Sequence, residues 1–114
     1  MSTEQRSRHR FGSVIGLRPE HEQAYREMHT VVWPAVLAQI SRCNIRNYSI
    51  FLHNGLLFSY FEYVGDDFDG DMASMAADPQ TQRWWDVVQP MQQQLDGTPG
   101  GEWWLPIAEV FHVD

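Results

Sequence analysis

The chain of 114 residues contains no lysine: all eight basic residues in the Lys+Arg class are arginine. That absence excludes two mechanisms outright. A Walker A loop needs its lysine to reach the nucleotide phosphates. Schiff-base chemistry, with pyridoxal phosphate or with a sugar carbonyl, needs a lysine amine. Cysteine is scarce as well. Cys43 is the single one, so no intrachain disulfide can form, and the chain suits a reducing compartment. Positive charge is in deficit. Eight basic against 15 acidic residues leave a formal net charge of −7, which argues against nucleic acid as a partner. No apolar run approaches the ~20 residues that cross a bilayer, so no membrane association is expected. The first ten residues, MSTEQRSRHR, are polar and have no apolar segment of the secretory-leader kind. Residues 1–10 read as a solvated tail ahead of one domain over 11–114, and a cytoplasmic location is expected.

What the chain does have is aromatic side chains, fifteen of them. They fall within a readable pattern. Residues 10–17, RFGSVIGL, alternate as a strand with Phe11, Ser13, Ile15 and Leu17 on one face. Pro19 opens a helix, with Glu20 and Glu22 near the positive end of its dipole. Pro34 must interrupt that helix, which predicts one piece to about residue 30 and a second from Pro34 to Arg42. On the second piece Val36, Leu37 and Ile40 form the expected buried stripe. Residues 45–52 and 56–64 read as strands joined by a His53-Asn54-Gly55 turn, with Tyr48, Ile50 and Leu52 on one face. A short helix follows over about 68–76. A longer one after Pro79 carries QRWWDVVQPM and ends near Pro90. DGTPGG at 96–101 is a loop, and IAEVFHV at 107–113 is the expected last strand. The order is β-α-β-β-α-β. It predicts the ferredoxin-like α+β class, with split helices on one face of an antiparallel sheet. The aromatic content exceeds what one core face needs, so a homodimer burying the other face is expected.

Most candidate motifs fail on inspection. The five histidines, His9, His21, His29, His53 and His112, lack metal-ligand spacing, so no metal is expected. DDFDGD at 66–71 resembles a calcium loop only in charge. Counted from Asp67, its sixth position is Met72 rather than glycine and its twelfth is Asp78 rather than glutamate. GSVIG at 12–16 misplaces the serine for a nucleophile elbow. What remains is YREMHTVVWP at 25–34, where Tyr25 and His29 share a helix face, together with Tyr48 and the pair Trp84–Trp85. Two readings stay open. These groups are packing aromatics with bonded polar tips, or they converge on a ligand. In the second case His29 is the natural acid/base group, since its ordinary pKa lies near neutrality. A tryptophan at a cleft lip suits the C–H face of a sugar. Arg83 and Glu62 read as supporting residues or as paired surface charges.

The strings themselves carry more than their spacing. YREMH followed by WP, then NYSIFL, QRWW and EVF, in that order over residues 11–113, resemble the L-rhamnose mutarotase family. The resemblance implies a small dimeric ferredoxin-like protein of the dimeric α/β-barrel type. It implies interconversion of the α and β anomers of a 6-deoxyhexose, with no metal or organic cofactor. It assigns catalysis to His29 and sugar contact to Tyr25, Tyr48, Trp84 and Trp85. Thr30, Val31 and Ala35 depart from the family's pattern beside that site, so L-rhamnose leads and L-fucose or another deoxysugar is the alternative. Two other classes share enough features to be named. One is a haem-binding protein or cofactor-free oxygenase of the same barrel type, with His29 as haem ligand. The other is a non-catalytic sugar-binding module.

Overall fold

A computed structural model describes residues 9–114. The expected tail therefore lies mostly outside the described residues, while His9 and Arg10 already belong to the first strand. β1 (His9–Leu17) is followed by a 3-10 turn (Pro19–His21) and α1 (Glu22–Met28). α2 (Pro34–Arg42) comes next. The break between the two helices has a local cause. A residue before proline is pushed out of the helical region, and Trp33 sits at φ −57° and ψ 131°. Pro34 then starts α2 at a position where its missing N–H costs nothing.

β2 (Ile45–His53) and β3 (Leu56–Tyr63) form the expected hairpin. Asn54 and Gly55 both adopt positive φ, as a two-residue turn of matching twist requires. α3 (Phe68–Ala77) is capped by Asp67, and α4 (Pro79–Val88) by Asp78, whose carboxylate accepts from the Thr81 amide at 2.9 Å. A second 3-10 turn (Gln89–Met91) leads into β4 (Gln92–Gln93), and β5 (Leu105–Ile107) ends the regular structure. The sheet order is β2-β3-β1-β4, antiparallel throughout, with β5 also on β1. This is the ferredoxin-like α+β arrangement. Ile15, Leu17 and Leu57 of the inner sheet face pack against Tyr25, Val36, Trp84 and Val88 from the helices. Each such aliphatic side chain removed from water contributes about 1.5–3 kcal/mol.

The last strand differs from expectation in two ways. The segment 107–113 is not a strand: pairing stops at Ile107, opposite Gly12, and Val110 and Phe111 are 95% and 78% exposed. Alternating apolar residues form a strand only beside a backbone that accepts their hydrogen bonds. Here Arg10 meets the segment through an ion pair with Glu109 at 2.7 Å rather than through the ladder. Pairing instead begins earlier, in two pieces. Between Gln93, opposite Gly16, and Leu105, opposite Val14, β1 advances two residues and the facing chain twelve. β4 and β5 are thus one edge strand with the segment 94–104 looped out of it. Two smaller differences follow packing. Leu37, expected in the buried stripe, is 52% exposed at a cleft wall. β2 carries an irregularity between Arg46 and Ser49, with Asn47 at φ 51°, which interrupts strict alternation just before Tyr48.

α3 is tied to the end of β3 by a polar cluster. The buried Tyr63 hydroxyl and the Asn44 amide both donate to the Asp71 carboxylate, the latter at 2.9 Å. The Asp67 amide in turn donates to the Tyr63 oxygen at 3.0 Å. The bonds from Tyr63 and then Asn44 hold the Asp71 carboxyl below the usual carboxylate range. A depressed folded pKa stabilises the fold above the unfolded value and loses that contribution as pH falls through the folded one. Asp71→Asn is therefore expected to lower stability at pH 7 and to flatten the further loss below about pH 4. Urea midpoints at neutral and acid pH check this; an undiminished acid loss in the variant would remove Asp71 from that role.

Candidate active site

A cavity of about 740 Å³ opens between the inner face of β2 and β3 and the helices α1, α2 and α4. That size suits a small organic ligand. Tyr25 and His29 reach it from α1 and its end, Tyr48 from β2 and Trp84 from α4. The sequence expectation thus gathers four of its five residues on one cavity. Trp85 stands apart: it is half-buried, packs against the core cluster and is not among the lining residues. Neighbours on a helix point about 100° apart, so only one indole of the pair can face this way. Much of the remaining wall is aliphatic, including Ile50, Leu52 and Leu57.

The rings form a connected series. Tyr25 stacks on His29 with centroids 4.2 Å apart and planes 28° apart. His29 meets Trp84 at 5.3 Å and 72°, and Trp84 meets Trp33 at 5.1 Å and 79°. Stacked and edge-on contacts of this kind are the favoured aromatic geometries. The imidazole is therefore held on one side by a phenol and on another by an indole, and Trp33, placed by the bend before Pro34, supports that indole.

The orientation of His29 follows from the end of α1. The helix stops at Met28, and the His29 amide is shared between the Tyr25 and Arg26 carbonyls at 3.3 and 3.2 Å. The last carbonyls of a helix have spare acceptor capacity, and the Tyr25 carbonyl takes the His29 Nδ1 at 2.7 Å. A carbonyl only accepts, so Nδ1 carries the proton and Nε2 of the neutral ring carries the lone pair. No hydrogen bond from a described protein group occupies Nε2. The site has one free acid/base nitrogen.

Burial raises the pKa of both phenols above the ordinary tyrosine value. Desolvation, the largest cause, pushes Tyr25 up to about 12, against a hydrogen bond from Gln92 that lowers it. Tyr48 is 45% exposed as a residue, yet its hydroxyl lies deep enough for desolvation to raise its pKa as well. Each is a hydrogen-bond donor or acceptor at neutral pH and not an anion. Among the described residues no group of three or more His, Cys, Asp or Glu side chains converges as a metal site would require.

Sequence reasoning missed several lining residues. Arg26 and Thr30 each follow an expected site residue directly and face the cavity edge, Arg26 paired with Glu22 at 3.2 Å and Thr30 bonded to the Glu27 carbonyl at 2.6 Å. Their signal was adjacency to Tyr25 and His29 at a helix end, where the face widens. Glu62 and Arg83 do not line the cavity. Glu62 accepts from Asn47 at 2.9 Å and Tyr60 at 2.7 Å, and Arg83 is exposed.

Comparison with known proteins identifies the family. The family model described as L-rhamnose mutarotase matches residues 10–113. An L-rhamnose mutarotase from Oceanobacillus iheyensis is 30% identical over 108 residues, covering 92% of this chain and 98% of its own. One from Opitutus terrae is 34% identical over 106 residues, covering 89% and 94% respectively. The crystal structure of an L-rhamnose mutarotase from Formosa agariphila superimposes with a TM-score of 0.71 at 26% identity, covering 93% of this chain and 99% of the other. With the match running from the first strand to the C-terminal segment, the chain belongs to the L-rhamnose mutarotase family.

Proposed function

We propose that this chain is a mutarotase that interconverts the α and β anomers of a 6-deoxyhexose, L-rhamnose first, by acid/base catalysis at His29. The observation that carries the reading is the imidazole with Nδ1 tied to a carbonyl and Nε2 unengaged at a ligand-sized cavity. Ring opening moves a proton from the anomeric oxygen to the ring oxygen, and both atoms are bonded to C1. One nitrogen can therefore serve both. Nε2 takes the anomeric proton as the C1 carbonyl forms. The C1–ring oxygen bond breaks with its electrons on the ring oxygen, which receives the proton from the imidazolium. After rotation about C1–C2 the same steps run backward on the other carbonyl face. No net proton is gained or lost, so a group that cycles through one protonation suffices.

The neutral phenols of Tyr25 and Tyr48 hold sugar hydroxyls and support the oxygen on which charge develops. Trp84 covers an apolar sugar face, with Trp85 behind that wall. The aliphatic lining at Ile50 and Leu52 accommodates the methyl group that a 6-deoxysugar carries. No cofactor enters these steps. The buried free thiol of Cys43 suits the cytoplasm, and among the described residues no helix is long and apolar enough to cross a membrane.

A homodimer completes the proposal. Phe51 pairs with Phe58, and Ile107 lies opposite Gly12; strand alternation turns these positions to the sheet face away from the helices, with Phe51 also bordering the cavity. Phe51 and Ile107 are exposed there, an apolar surface that a second copy would cover.

Exchange between the anomeric protons of L-rhamnose, followed by NMR with L-fucose in parallel, tests the activity. Acceleration by the protein is expected, and unchanged exchange across both sugars would sink the reading. His29→Ala should lose about 10²- to 10⁴-fold with the fold intact. Long-range proton–nitrogen correlation spectra of the neutral imidazole should show Nδ1 protonated and Nε2 bare; the opposite tautomer would break the mechanism. Sedimentation equilibrium should return twice the chain mass, and Phe51→Glu should shift it toward monomer, whereas a monomeric parent chain would overturn the dimer.

A further inference from the structure

The loop between β4 and β5 places Trp103 over Gln92. Gln92 is only 4% exposed and uses both ends of its amide. The Trp103 indole N–H donates to Gln92 Oε1 at 2.7 Å, and Gln92 Nε2 lies 3.3 Å from the Tyr25 hydroxyl. The direction of the whole chain of bonds is forced at its outer end. An indole N–H can only donate, so the amide oxygen must face Trp103 and the NH₂ must face Tyr25. Facing an NH₂, the phenol oxygen must accept. Its own proton is left to point elsewhere, and no described protein group accepts it. Tyr25 also lines the cavity, as does Tyr48. A buried phenol proton without a protein acceptor awaits one from a ligand.

We propose that Gln92, locked by Trp103, is a positioning residue that fixes Tyr25 as a hydrogen-bond donor toward the sugar. The proposal rests on the reading of the cavity as the sugar site. It also accounts for the way the 94–104 segment is held. Gln94 Nε2 donates to the carbonyls of Glu102 and Trp103 at 2.8 and 3.2 Å, pinning the loop so that the indole meets Gln92. Two roles are thereby separated. Gln92 touches no substrate and acts through Tyr25.

Gln92→Glu tests it with nearly the same shape. A carboxylate accepts at both ends, so it would still take the indole N–H but would draw the Tyr25 proton away from the sugar. The rate of anomer exchange should fall roughly 10- to 100-fold, mainly in kcat, the size of one lost charge-supporting hydrogen bond. When that carboxyl is protonated it can again donate to Tyr25 and accept from Trp103. The ratio of variant to parent rate should therefore rise as pH falls. Arg18 and Asp86 face the same small cavity beside Gln92 and Trp103, and both are common to the two proteins. In a Tyr25→Phe background, Gln92→Glu should have no further effect on exchange. Trp103→Phe, which frees the amide to turn over, should give a smaller loss and covers the case that the buried carboxylate prevents folding. A parent-like, pH-independent ratio, or an undiminished effect in the Tyr25→Phe background, would overturn the proposal. An independent readout does not need catalysis. The Tyr25 Cζ carbon resonance should move downfield in Gln92→Glu, where the phenol donates to an anion. A parent protein that fails to speed exchange would sink the mutarotase reading alone, and an unmoved Cζ resonance would sink the positioning role alone.

Discussion

The site depends on one hydrogen bond that a helix can offer only where it ends. His29 Nδ1 reaches the Tyr25 carbonyl at 2.7 Å because the backbone amide that would fill this carbonyl in mid-helix is shared and long. Further along, Pro34 keeps Trp33 extended and so starts α2 as a separate helix rather than a continuation of α1. The same bend delivers Trp33 to the edge of Trp84, and Trp84 to the imidazole.

The surrounding structure favours neutral groups that exchange a proton over fixed charges. The four expected residues that line the cavity are an imidazole, two phenols whose pKa values are raised by desolvation, and an indole. The arginine nearest them, Arg26, is engaged with Glu22 at the rim. A fixed cation or anion deep in the cleft would stabilise one protonation state of the histidine over the other. The proposed anomer exchange needs both states within easy reach, since in it the imidazole would take up one proton and return it.

Much of this was legible in the sequence because short-range rules govern it. The helix split followed from Pro34, the hairpin from Asn54-Gly55, and the shared face of Tyr25 and His29 from a spacing of four. The convergence of Tyr48 and Trp84 on that face is a long-range fact that spacing could not supply; the family resemblance supplied it. What escaped was whatever depended on partners far along the chain. IAEVFHV has the alternation of a strand, yet among the described residues its pairing stops at Ile107. Leu37 fits a buried stripe by period, but the cleft opens where it points. Trp84 and Trp85 are equivalent by composition and differ only by the rotation of α4.

The 94–104 segment is the clearest case of chemistry hidden from pattern reading. DGTPGG reads as a connector, and by local rules it is one. Its position in the sheet makes it more. Because β4 and β5 form one interrupted edge strand, the loop must leave and rejoin β1 within two residues of register, and so it folds back over β4 instead of extending away. That return sets Trp103 on Gln92, and Gln92 spans from the sheet edge to the Tyr25 hydroxyl. Two hydrogen-bond systems therefore converge on Tyr25. Its carbonyl orients the imidazole and its hydroxyl takes direction from the loop. The residue that looked like the lesser partner of the histidine is the one through which both the helix end and the edge strand act on the cleft.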